Sequence, residues 1–104
     1  MTHACEEPEA ALEAAEVLKA IAHPVRLRIV AVLCEEELHV NGLAERLNTP
    51  QAIISQQLRI LRMRKLVGVV RSNGRATYRL TQPHLIQMVG CMDSCLLDRG
   101  EHRS

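Results

Sequence analysis

The chain predicts a mainly α-helical domain carrying one small β-hairpin, with its elements in the order α-α-α-α-β-β-α. Three observations lead to this. Helix-forming segments with apolar residues at helical spacing fill the chain up to about residue 64. Asn73-Gly74 then stands between two short extended segments, and Asn-Gly in that setting is the strongest short hairpin signal. A last helical segment follows Pro83.

Taken in order, residues 9–22, EAALEAAEVLKAIA, are rich in good helix formers, and Leu12, Ala15, Val17, Leu18 and Ile21 make an apolar stripe. His23-Pro24 interrupts it, because the residue before a proline disfavours helical geometry. A second helix starts at Pro24, where proline is tolerated in the first turn, and runs to about Glu35. It is expected to bury Leu27, Val30, Ala31 and Cys34 or their neighbours. EEELHV is a connector with a brief strand at Leu38 to Val40. The third helix covers Asn41 to Leu47 with Asn41 as its N-cap, and Asn48-Thr49 forms a turn. Thr49 is expected to cap a fourth helix with Pro50 at its first position, running to about Arg64. Strands at Leu66 to Arg71 and Ala76 to Leu80 flank Ser72-Asn73-Gly74, and the last helix spans Pro83 to Leu97. The expected organisation is a flexible tail over residues 1–8, one domain over 9–98, and a second tail over 99–104.

Composition narrows the function. At 104 residues and 47% hydrophobic, the chain holds one modest core, but Tyr78 is its single aromatic residue. The core must be Leu, Ile, Val, Ala and Met, which suits closely packed small helices and favours burial against a second chain. Stacking of single-stranded bases on aromatic side chains is nearly excluded. The longest apolar run, Ile29 to Cys34, is too short to cross a bilayer, and the acidic N-terminus lacks a signal sequence. A cytoplasmic protein with no membrane partner is expected, with Cys5, Cys34, Cys91 and Cys95 as reduced thiols. Neither a Ser-His-Asp cadence, a Gly-rich phosphate loop nor a His-Glu-x-x-His motif is present, so an enzyme is not expected.

Charge points to a partner. Net charge is +1, yet between Arg46 and Met92 there is no Asp or Glu, while Arg46, Arg59, Arg62, Arg64, Lys65, Arg71, Arg75 and Arg79 are basic. A concentrated basic face binds phosphate backbones because each neutralised phosphate releases condensed counterions. On the fourth helix Ile54, Leu58 and Leu61 recur at core spacing, which leaves Gln51, Ser55, Gln56, Arg59 and Arg62 on the other side. Gln reads adenine edges, Ser is short and permissive, and Arg reaches guanine or phosphate. Helices followed by a basic hairpin make a winged helix-turn-helix, whose fourth helix would enter the major groove of double-stranded DNA. The hairpin tip, with Arg71, Asn73 and Arg75, would meet phosphates or the adjacent minor groove. The competing reading is a protein-interaction module that keeps the fold without recognising DNA.

The run LKAIAHPVRLRIVAVLCEEELHVNGLAERLNTPQAIISQQLRILRMRKLVGVVRSNGRATYRL, Leu18 to Leu80, resembles the ArsR/SmtB family of bacterial winged-helix repressors. LKAIAHPVRLRIV, SQQLRILR and VRSNGRATYRL carry the resemblance. The family often has His where Gln57 stands and Gly where Lys65 stands. The resemblance implies a homodimer built from the first and last helices, repression from a palindromic operator, and release when an inducer favours the DNA-incompetent state. The family's Cys-x-Cys metal motif at the start of the third helix has no counterpart in Glu37-Leu38-His39-Val40-Asn41-Gly42. Its zinc positions on the last helix correspond to Gln82, His84, Cys95 and Asp98.

Three readings of the thiols stay open. Cys91 and Cys95, four apart on one helix, share a face and could hold a soft metal or metalloid ion such as zinc or arsenite, with Cys34 or a partner-chain cysteine as third ligand. His84, Asp98 and Cys5 are weaker candidates. Alternatively, a Cys34 link to Cys91 or Cys95 would resemble the family's sulfide- and redox-sensing branch, which pairs a second-helix cysteine with a last-helix one. Cys91 and Cys95 cannot easily bridge each other inside a regular helix. In the third reading the thiols are small buried hydrophobes, and the protein is a constitutive repressor with no effector.

Overall fold

Pro8 and Pro24 each stand in the first turn of a helix, where the N–H that proline lacks has no intrahelical partner to lose. They open α1 (Pro8–Ile21) and α2 (Pro24–Leu33) in a computed structural model that describes residues 6–103, without the side chains at 93, 95 and 97–103. His23 precedes α2 with extended backbone, and its Nδ1 accepts from the Val25 N–H at 3.1 Å, which caps the helix. The remaining elements are α3 (Val40–Leu47), α4 (Gln51–Met63), β1 (Val67–Ser72), β2 (Arg75–Leu80) and α5 (His84–Arg103). The order is the expected α-α-α-α-β-β-α.

One aliphatic core joins the helices to the base of the hairpin. Ile29, Leu43, Ile54, Leu58, Leu61, Leu66 and Leu85 are fully buried in it, each stabilising the fold by about 1.5–3 kcal/mol relative to exposure. Two helix ends aim α4. Asn48, at φ 50°, closes α3 with N–H bonds from Asn48 to Glu45 (3.2 Å) and from Thr49 to Ala44 (3.0 Å). Lys65, at φ 61°, closes α4 the same way, with Lys65 donating to Arg62 (2.9 Å) and Leu66 to Leu61 (3.0 Å). Leu61 and Leu66 are both buried, the apolar contact that accompanies this motif.

β1 and β2 pair antiparallel from Val67↔Leu80 to Ser72↔Arg75. Asn73 and Gly74 both have positive φ (53° and 76°), as a two-residue hairpin turn matched to strand twist requires.

Several expectations shift. The stripe on α1 divides: Ile21 enters the core with its neighbour Ala20 and Val17 packs against it, while Leu12, Ala15 and Leu18 stay exposed. α2 ends at Leu33 and buries Ile29, Val30, Val32 and Leu33, with Leu27, Ala31 and Cys34 half-buried. The expected strand at Leu38 to Val40 reduces to one bridging residue, Leu38, opposite Tyr78. α3 therefore starts directly at Val40, with His39 before it and Asn41 inside the helix. Thr49 does not cap α4; its hydroxyl donates back to the Leu47 carbonyl at 2.9 Å, and Pro50 occupies the cap position. α5 continues past Leu97 to Arg103.

Candidate nucleic-acid interface

Helical rotation of about 100° per residue sorts α4 into two sides. Ile54, Gln57, Leu58 and Leu61 face inward. Ala52, Gln56, Arg59 and Met63 form the row most opposed to them, flanked by Gln51, Ser55 and Arg62, and all seven are exposed. The five α4 residues selected from the sequence thus share one continuous surface. Ala52 and Met63, the latter 73% exposed, extend it and escaped a search for polar chemistry. Counting positions around the helix from Ile54 would have found them.

The ribbon presents arginine on both of its faces. Paired strand residues share a face, so Arg71, opposite Ala76, lies on the Val67 and Val69 side, whereas Arg75, opposite Ser72, lies on the Val70 and Arg79 side. Arg71, Asn73, Arg75 and Arg79 are all exposed. Arg79 joins the basic surface two positions along the same face from Thr77 and four from Arg75.

The positive charge is less uniform than the acid-free stretch implies. Arg46 bonds to Glu35 and also to Glu36, the latter at 2.9 Å. The Glu35 hydrogen bond, helped by the Glu35 charge and then by the Glu36 hydrogen bond and charge, outweighs desolvation and raises the Arg46 pKa above its ordinary value. Arg64 pairs with Glu16 of α1 at 3.3 Å. These carboxylates come from segments outside the basic stretch. Arg59, Arg62, Lys65, Arg71, Arg75 and Arg79 form no ion pair among the described residues.

The thiols lie elsewhere. Cys34 ends α2, half-buried against the core, and Cys91 is exposed on α5, which packs against α2. Cys5 and the side chains of Cys95 and Asp98 lie outside the described residues. His84 Nε2 and Gln82 Oε1 are 3.0 Å apart. A neutral amide is not among the usual zinc ligands, so Gln82 beside His84 does not make a zinc-binding pair. Among the described residues, no three His, Cys, Asp or Glu side chains gather as a metal site.

The two terminal helices expose apolar side chains of their own. Leu12 and Leu18 on α1 are 64% and 51% exposed, and Ile86, Met92 and Leu96 on α5 are exposed as well. Between the helices Val17, Leu18 and Met88 line an apolar groove.

Comparison with known proteins matches residues 23–68 to the family model of bacterial regulatory proteins of the arsR family. The HTH-type transcriptional repressor SmtB of Mycobacterium tuberculosis is 41% identical over 83 residues, which is 79% of this chain and 62% of that repressor. The chain thus spans less than two thirds of that relative's length. The crystal structure of the transcriptional repressor BigR from Xylella fastidiosa is similar with a TM-score of 0.79 and 36% identity, covering 84% of this chain and 89% of that one. Mb0332 from Mycobacterium bovis, solved as a homodimeric winged helix-turn-helix DNA-binding domain, has a TM-score of 0.76 at 26% identity, covering 92% of this chain and 91% of that one.

Proposed function

The chain belongs to the ArsR/SmtB family of bacterial regulatory proteins, and from that premise we propose that it is a homodimeric transcriptional repressor of operator DNA, released by an effector sensed through its cysteines. The observation that carries the reading is the exposed α4 row of Gln56 and Arg59, flanked by Gln51, Ser55 and Arg62 and continued by a ribbon with arginine on both faces. In the major groove the glutamines offer paired donors and acceptors to base edges, and the arginines reach guanine or phosphate. Arg71 and Arg75, projecting from opposite faces of the ribbon, fit the two walls of a neighbouring minor groove.

Self-association through α1 and α5 is supported by the exposed Leu12, Leu18, Ile86, Met92 and Leu96, and by the homodimeric state of Mb0332. A two-fold dimer presents two α4 helices, so its operator is palindromic with half-sites about one helical turn apart or a multiple of it. The thiol-sensing reading is supported by Cys91, exposed on α5 with Cys95 one turn further, and by Cys34, which follows the last residue of α2, the helix packed against α5.

The test is a gel shift on a duplex from the protein's own promoter across a salt series. Binding that weakens steeply with salt supports the reading, and salt-insensitive or absent binding overturns it. Mass analysis and thiol counting after exposure to zinc, arsenite, oxidant or sulfane sulfur, each scored for release from DNA, then identify the effector class. Release that persists when Cys34, Cys91 and Cys95 are all serine refutes thiol sensing.

A further inference from the structure

One inward position of α4 is polar. Gln57 is 8% exposed and shares the buried side of the helix with Ile54, Leu58 and Leu61, so it faces away from any DNA held by the outer row. A buried amide is costly unless bonded. Gln57 Oε1 accepts from Arg26 Nη1 at 3.0 Å. The same guanidinium donates from Nε to the Ala20 carbonyl at 2.5 Å. That carbonyl belongs to the last turn of α1, and the residue four positions on is Pro24, which has no N–H to give it. The negative end of the α1 dipole adds to the attraction.

Arg26, on α2, therefore clamps the end of α1 to the inner side of α4. A guanidinium holds its donors in one plane, so satisfying both partners together restrains the rotation of α4 about its own axis relative to α1. α1 carries Leu12 and Leu18 on the surface offered to a second copy, and α4 carries the DNA-facing row. We propose that Arg26 and Gln57 are positioning residues that set how the α4 helices are presented from the dimer, and hence sequence discrimination, without touching DNA. This rests on the repressor reading above.

The test compares wild type with Gln57→Leu, which removes the acceptor at similar volume, and Gln57→Glu, which keeps one at the same reach. Affinity is measured for a duplex enriched by the wild-type protein from a random-sequence pool and for poly(dI-dC), each across a salt series, with thermal unfolding and sedimentation as controls. Gln57→Leu is expected to lose at least about fivefold on the enriched duplex. Its affinity for poly(dI-dC) and its salt slope should not change, because no phosphate contact is lost. Gln57→Glu should restore binding to the enriched duplex. Wild-type discrimination by a folded Gln57→Leu protein overturns the proposal, as does an equal loss on both duplexes. If Gln57→Leu does not fold, Arg26→Lys takes its place, since a point charge cannot hold both partners in one plane; retained discrimination there overturns it equally. Failure of the wild type to enrich any sequence is a different result, and it refutes the repressor reading itself.

Discussion

Leu38 and Tyr78 exchange two backbone hydrogen bonds, with the Leu38 N–H donating at 3.2 Å and the Tyr78 N–H at 2.7 Å. This bridge fastens the ribbon that carries Arg71 and Arg75 to the connector before α3, and a two-stranded ribbon without such support is marginal in water. Leu38→Pro deletes one of the two donors. Beyond the loss of Leu38 side-chain packing against the core, the missing bond should cost about 1 kcal/mol and speed amide exchange along β1 and β2. Exchange rates equal to wild type would show that the bridge does not hold the ribbon.

Arg59 and Arg46 should respond differently to removal although both are exposed arginines of the acid-free stretch. Arg59 forms no ion pair among the described residues, so Arg59→Ala is expected to lower duplex affinity and to reduce the salt slope by about one. Arg71→Ala should behave alike. Arg46 is already held by Glu35 and Glu36, so Arg46→Ala should leave the slope unchanged. Equal slopes for the Arg59 and Arg46 variants would contradict this division of the charge.

Lys65 occupies the left-handed region at φ 61°, which costs a residue with a side chain roughly 1–2 kcal/mol. Glycine avoids that strain but loses about 0.5–1 kcal/mol through its freer unfolded chain. Lys65→Gly should therefore stabilise the protein by about 0.5–1 kcal/mol in denaturant titration. A destabilised variant would mean that the lysine side chain makes a compensating contribution.

Leu18→Glu and Ile86→Glu each place a carboxylate on the surface proposed for self-association. Burying an unpaired charge there should weaken the dimer by on the order of a hundredfold or more, read by sedimentation equilibrium. Both side chains are exposed in the monomer, so its fold should persist, as followed by circular dichroism. An unperturbed dimer in both variants would relocate the interface.

Much of the surface proposed to face DNA was legible because it depends on local rules. Ile54, Leu58 and Leu61 recur at helical spacing, which settles the outer side of α4 before any packing is known. The Asn73-Gly74 turn depends on two backbone angles that these residues adopt readily. Cap assignments failed at Asn41 and Thr49 because local preference met competitors: extended His39, whose carbonyl accepts from the Leu43 N–H, takes the position before α3, and the Leu47 carbonyl takes the Thr49 hydroxyl.

The sequence by itself determined the order of elements, the ribbon turn and the polar side of α4, since each follows from residues within a few positions of one another. Tertiary structure alone decided that Arg46 and Arg64 meet carboxylates, that the α1 stripe divides between core and surface, and that Arg26 joins Ala20 to Gln57. Those outcomes depend on how the packed helices bring together groups as far apart in sequence as Glu16 and Arg64, a distance that neither periodicity nor propensity encodes.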